Sequence, residues 1–264
     1  MATSMDLWLA EVDSRWAEID LLLSEAGRIE HDNTQLYDAL CRAAMVFVSA
    51  HFEGSIKSLV KYLIDDFNQF RGIADTPDRV RNHYLNSFIV LGSGDRDSRE
   101  AQQLRQKLLP LLISNNQPID YTVYLIDQKN PTPDILSRIA QKFGISSIFW
   151  ELENSDIEAK LFSDVPSARR QKIQEIRSLL QINCANFPYT DSSSVMGRHK
   201  PQKKSNRTIY EEFIDNTLKG RHDIAHGTIM NNPRTPRDFD EIRDKVQGLQ
   251  YSLLVLLTEE LAGG

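Results

Sequence analysis

Near the C-terminal end, the heptapeptide Arg221-His222-Asp223-Ile224-Ala225-His226-Gly227 places one permanent cation and two imidazoles within six consecutive positions. Arginine can bind a phosphate through two parallel hydrogen bonds and offset charge that develops on it. Histidine can take up or deliver a proton near neutral pH. Together they suit cleavage of an RNA phosphodiester, with the RNA's own 2′-hydroxyl as nucleophile, so no metal and no cofactor is required. Arg221 and His226 lie five residues apart, about 140° around an ideal helix, and share a face only loosely. The long Arg side chain can close that gap, and Gly227 marks the helix as ending at His226. A cation is favoured there, at the negative end of the helix dipole.

The same residues allow two other readings. Arg221 as a surface cation and His226 as a hydrogen-bonded helix end would give the same pattern without chemistry. His222 and His226, at i and i+4, also resemble the histidine pair of a zinc protease helix. Against zinc, Asp223 stands where such an enzyme needs a Glu as general base, and no His follows His226. A Glu or Asp would have to serve as third ligand.

These residues must be positioned by helices, because helical periodicity dominates the chain. Met5 to Ala26 carries Leu7, Trp8, Val12, Trp16, Ile19 and Leu23 at three- and four-residue intervals. Thr34 to Phe70 contains no Pro and one Gly, and is long enough to cross a domain. Shorter helices are predicted at Asp78–Leu91 and Ser98–Leu112, each after turn residues. Tyr121 to Ile126 is the one β-like stretch, too short for a sheet. Further helices are predicted from Pro133 to Phe143, from Pro166 to Ile182, from Thr208 with Glu211 in capping-box spacing, and from Asp238 to Leu261. The reading is one all-α domain over 1–264. Its core helices span about 5–71 and 208–262, a helical insertion about 72–182, and a loop about 183–207. Trp8, Trp16 and Trp150 read as core or interface anchors.

Within the second helix, Glu53 and Lys57 are four apart and face the same side. They form either an ordinary intrahelical ion pair or a brace in which Glu53 supports Arg221. His51 reads as structural. In the loop, the run RHKPQKKSNR at 198–207 supplies five cations, Arg198, Lys200, Lys203, Lys204 and Arg207, and no acid. It is either a solvated loop or a guide for RNA ahead of the motif helix.

Composition bounds these readings. A net charge of -6 argues against a protein that coats nucleic acid non-specifically, since that affinity comes from clustered Lys and Arg. Two distant cysteines, Cys41 and Cys184, in no metal-ligand spacing, suit a reduced intracellular setting. The best candidate for a spanning segment, Leu249 to Leu257, is too short to cross a bilayer and carries Gln250 and Ser252. Asp6 and Glu11 stand where a signal peptide would be basic. The expectation is a soluble, cytoplasmic protein with no membrane partner.

Leu218-Lys-Gly-Arg-His-Asp-Ile-Ala-His-Gly227 closely resembles the Arg-x4-His signature of HEPN-domain ribonucleases. Ser49-Ala-His-Phe-Glu-Gly-Ser-Ile-Lys57 resembles the His-Phe-Glu-Gly helix of the large branch that includes the RiboL-PSP type. The resemblance covers the long second helix and the last sixty or so residues, and no motif covers the insertion or the basic loop. It implies a HEPN-like helical bundle that forms a homodimer, bringing two motifs into one composite cleft. It implies metal-independent RNA cleavage leaving a 2′,3′-cyclic phosphate, in a family many of whose members act as toxins or in phage defence. By position, Arg221 and His226 would be the catalytic pair, with His222 and Asp223 adjusting or orienting them. The alternative is a non-catalytic HEPN-like module that binds RNA or a partner protein. Retention of both Arg221 and His226 favours the enzyme. The RNA target, and control by an antitoxin or a sensor protein, stay open.

Overall fold

The computed structural model describes residues 3–89, 98–126, 130–190, 193–197, 207–226 and 234–262, and among them it is all helical, with no strand. Helix α1 (Ser4–Ile29) buries one stripe, Met5, Trp8, Leu9, Val12, Trp16, Ile19, Leu23 and Ala26, while Leu7, expected on that stripe, is 60% exposed. Its first amides have no partner within the helix. The Thr3 hydroxyl accepts from the Asp6 N–H, and the Ser4 and Met5 N–H groups donate to the Asp66 carboxylate at 2.6 and 3.2 Å. Asp66 is fully buried on α2 and also accepts from the Tyr189 hydroxyl at 2.6 Å. A carboxylate at the positive end of the helix dipole is where both charge and hydrogen bonding favour it.

Helix α2 (Thr34–Phe70) runs antiparallel to α1, so that Ser4 meets Asp66 and Trp16 meets His51. At 1.5 Å per residue its 37 residues span about 55 Å. The third wall is α10 (Pro236–Ala262), where Leu249 through Leu257 are all buried. The apolar run that is too short for a membrane is therefore a helix covered on every side. Its polar members are paired inside the core. Trp16 Nε1 donates to Gln250 Oε1 at 2.8 Å, and Gln250 Nε2 donates to the Ser55 hydroxyl at 2.6 Å. No helix among the described residues is long and apolar enough to cross a membrane.

Between α2 and the motif helix lie α3 (Asp78–Ser87), α4 (Arg99–Ser114), α5 (Pro133–Lys142), α6 (Ile148–Glu153), α7 (Asp156–Leu161) and α8 (Pro166–Asn183). Helix α8 lies along α10, where the buried Arg169 pairs with the buried Asp244 at 3.3 Å. Helix α4 buries only Ala101 and runs through Pro110, whose exposed side of the helix leaves the freed carbonyl open to water. Three local expectations change. The helix predicted to Leu91 ends at Ser87, and Leu91 lies outside the described residues. Tyr121–Tyr124, the β-like stretch, is a 3-10 turn in which Tyr124 is buried and its hydroxyl donates to the Val80 carbonyl at 2.8 Å. Its aromatic character reflects burial, since the ring also stacks on Phe143. The two six-residue helices α6 and α7 are too short to impose a period and went unpredicted.

Helix α9 (Ile209–Ala225) carries the motif. Its capping box is complete: the Thr208 hydroxyl accepts from the Glu211 N–H at 3.3 Å, and the Glu211 carboxylate accepts from the Thr208 N–H at 2.7 Å. It packs on α2 with one face and on α5 and α6 with another.

Candidate functional site

Arg221 lies in the last turns of α9, and its side chain is 32% exposed, so its cation is reachable from solvent. Its Nη1 donates to Asn130 Oδ1 at 2.8 Å and lies 3.5 Å from Glu53 Oε2. Glu53 in turn accepts from Lys57 Nζ at 2.7 Å. The i, i+4 spacing on α2 makes the Glu53–Lys57 pair, and the docking of α9 on α2 brings Arg221 to the same carboxylate. Glu53 is thus an intrahelical partner of Lys57 and at the same time a neighbour of Arg221. With both cations partly exposed, these contacts contribute little stability, about 0–1 kcal/mol each. They fix a direction more than they hold the fold.

His222 and His226 stack one turn apart, ring centroids 4.2 Å, tilted by 50°, and both are exposed. His226 is the C-cap of α9, and its backbone N–H closes the last turn on the His222 carbonyl at 3.0 Å. Among the described residues, no hydrogen bond or ion pair joins Arg221 to either imidazole. Also among them, no cluster of three His, Cys, Asp or Glu side chains is arranged to hold a metal ion. Cys41 and Cys184 are both buried and free.

Asp223 is half-buried and feels a cation that sequence reasoning missed, Arg234, just ahead of α10. Burial pushes the Arg234 guanidinium below its ordinary range, and the Asp238 and Asp223 carboxylates oppose that shift. Arg234 Nη1 lies 3.0 Å from Met45 Sδ, and its Nη2 sits where a Cβ on Gly220 would come within 2.7 Å. Gly220 is in a helix interior, where Gly costs about 1 kcal/mol relative to Ala. That cost was a legible signal that some group packs close to the α9 backbone at this point. Asn130, the other missed residue, gave no such signal.

His51 is buried against the edge of Trp16, centroids 4.7 Å apart, with neither ring nitrogen hydrogen-bonded. Burial, then the Arg15 and Arg243 cations, push its pKa down to about 4. It is a neutral core residue. Of the basic run, Arg198, Lys200, Lys203 and Lys204 lie outside the described residues. Arg207 pairs with Asp215 and reaches the Glu211 carbonyl at 3.5 Å, which ties it to the first turns of α9.

One turn of α2 before Glu53, a groove of about 650 Å3 opens between α1 and α2. Leu21, Leu22, Phe47 and Ala50 line it, with Leu21 72% and Phe47 53% exposed. Leaving side chains of this size in water costs free energy that a covering surface would recover.

The described residues form an all-helical bundle in which a partly exposed Arg221 and the exposed His222 and His226 gather at the end of one helix. The family model described as RiboL-PSP-HEPN matches residues 10–257, and the chain belongs to that family. HEPN domains are generally associated with nucleases and RNA-related functions. No curated protein and no solved structure matches the chain.

Proposed function

We propose that this protein is a metal-independent endoribonuclease acting as a homodimer, in the role of a toxin or phage-defence effector. The observation that carries this reading is the end of α9. Arg221 is oriented by Asn130 and Glu53 yet reachable, beside two exposed imidazoles. One imidazole removes the proton from the RNA 2′-hydroxyl. The 2′-oxygen attacks phosphorus, the bond to the 5′-oxygen breaks, and a second imidazole protonates that leaving oxygen. The products are a 2′,3′-cyclic phosphate and a 5′-hydroxyl. Arg221 offsets the charge that builds on the non-bridging oxygens. His226 supplies one proton-transfer group, His222 and Asp223 adjust and orient the pair, and Glu53 with Lys57 supports Arg221. Arg198, Lys200, Lys203, Lys204 and Arg207 guide the RNA.

One observation supports a second copy as part of the site. The apolar groove at Leu21, Leu22, Phe47 and Ala50 adjoins the Glu53 turn and would be covered in a dimer. The test is incubation of purified protein with RNA in excess chelator. Cleavage to cyclic-phosphate ends is expected, and Arg221→Ala or His226→Ala should abolish it. Full activity in either variant would reject the reading. Binding without cleavage would indicate the non-catalytic module. Growth arrest on overexpression, lost with Arg221→Ala, is the expected sign of the toxin role.

A further inference from the structure

The guanidinium of Arg221 is held on one nitrogen only. Nη1 donates to Asn130 Oδ1 at 2.8 Å and lies 3.5 Å from Glu53 Oε2. Among the described residues, Nε and Nη2 make no hydrogen bond. Nε and Nη2 together form the edge of the guanidinium that matches two oxygens of one phosphate. With Nη1 occupied, that edge is the one left for a ligand.

Asn130 is built to hold its place. It precedes Pro131, which is buried, and Pro133, which is buried at the first position of α5. Each proline fixes its own φ and restricts the residue before it. The Asn130 carbonyl accepts from the Thr132 N–H at 2.7 Å, and the Thr132 hydroxyl caps α5 on the Ile135 N–H. Helix α5 packs on α9, so the Asn-Pro-Thr-Pro segment projects a fixed acceptor toward Arg221. The residue type also matters. Glu53 already presents one negative charge to Arg221, and a second carboxylate would weaken the cation's attraction for an incoming phosphate. A neutral amide orients the guanidinium and leaves its charge intact.

We propose that Asn130 is a positioning residue of the RNA-cleaving site, which fixes Nη1 so that the Nε–Nη2 edge of Arg221 faces the scissile phosphate. This makes the insertion part of the active site, and it rests on the ribonuclease reading above.

The test compares Asn130→Ala and Asn130→Asp with wild-type protein, using a fluorescent oligoribonucleotide in chelator. Asn130→Ala should lower kcat about tenfold or more and change KM less than about twofold, because the cation stays but loses its orientation. Asn130→Asp keeps the acceptor, so kcat should recover toward wild type while KM rises several-fold from the added negative charge. In the nitrogen-15 spectrum of the free protein, the Arg221 Nη1 protons should exchange faster in Asn130→Ala, with an unchanged melting temperature. Wild-type kcat and an unchanged Arg221 signal in Asn130→Ala would overturn the inference. If Arg221→Ala is inactive while Asn130→Ala is not, the inference falls and the ribonuclease reading stands. If Arg221→Ala cleaves as wild type, the reading falls and the role of Asn130 falls with it.

Discussion

The guanidinium of Arg234 occupies the space that a side chain on Gly220 would need, with Nη2 2.7 Å from the position of a Cβ and Met45 Cε 3.1 Å from it. A residue eight positions beyond His226 thus packs under the helix backbone immediately before Arg221. It also brings a positive charge to Asp223.

Gly220→Ala should therefore depend on its background. In wild-type protein the gain in helix propensity, about 1 kcal/mol, is offset by displacement of Arg234 and Met45. With Arg234→Ala already present the space is open, and the same change should stabilise by about 1 kcal/mol. Urea unfolding of the four proteins in the cycle measures the difference. Equal effects in both backgrounds would mean that Arg234 does not hold this position.

Arg221→Lys keeps the charge and loses the fork. Because Arg221 is partly exposed, stability should change by less than about 1 kcal/mol. RNA cleavage should fall by about 100-fold or more, since an ammonium cannot meet Asn130, Glu53 and a phosphate with one planar group. Near-normal cleavage would show that charge alone suffices.

Phe47→Glu places a carboxylate in the groove beside Leu21 and Ala50. Phe47 is 53% exposed, so the fold should survive the change. On the homodimer reading, sedimentation should show a monomer and cleavage should be lost with it. A Phe47→Glu protein that remains dimeric and active would move the interface elsewhere.

A buried histidine and a half-buried glutamate titrate in opposite senses. His51 has its pKa lowered from 6.5 to about 4 by burial first, then by Arg15 and Arg243. The unfolded chain therefore takes up this proton first, and its contribution to stability, full above pH 6.5, is lost as pH falls toward 4. Glu158 has its pKa raised from 4.5 to about 7 by burial first, then by Glu153. Its contribution is full below pH 4.5 and is lost as pH rises toward 7. Between about pH 4.5 and 6.5 the two slopes oppose each other. His51→Leu should leave a protein that gains stability on acidification through this window, and Glu158→Gln one that loses it. Chemical unfolding at several pH values reads both slopes, and parallel slopes in the two variants would contradict the assignment.

The long helices were legible because each buries a stripe that recurs at helical spacing, and α9 because its capping box is written in Thr208 and Glu211. The 3-10 turn at Tyr121 misled because aromatic and β-branched residues mark burial as readily as strand. Within the site, Glu53 and Arg221 were legible through their residue types and spacing. Asn130 was not, since it lies 91 residues from its partner and a lone Asn before a proline reads only as a turn. Arg234 was visible indirectly, through a glycine whose cost in a helix needs a reason.

The hold on Arg221 is assembled from α2, the segment before α5, and α9, and the hairpin of α1 and α2 lacks its third wall until α10 arrives. About 165 residues separate the end of α2 from the start of α10, on the order of 10 s of translation at usual rates. A growing chain gains Arg221 only after Glu53 and Asn130 have been made, and the bundle that docks α9 on them lacks α10 until later still. Premature termination or cleavage within the intervening helices leaves fragments that lack the assembled site. On the ribonuclease reading, an emerging chain would therefore lack the assembled site until most of the polypeptide has been made.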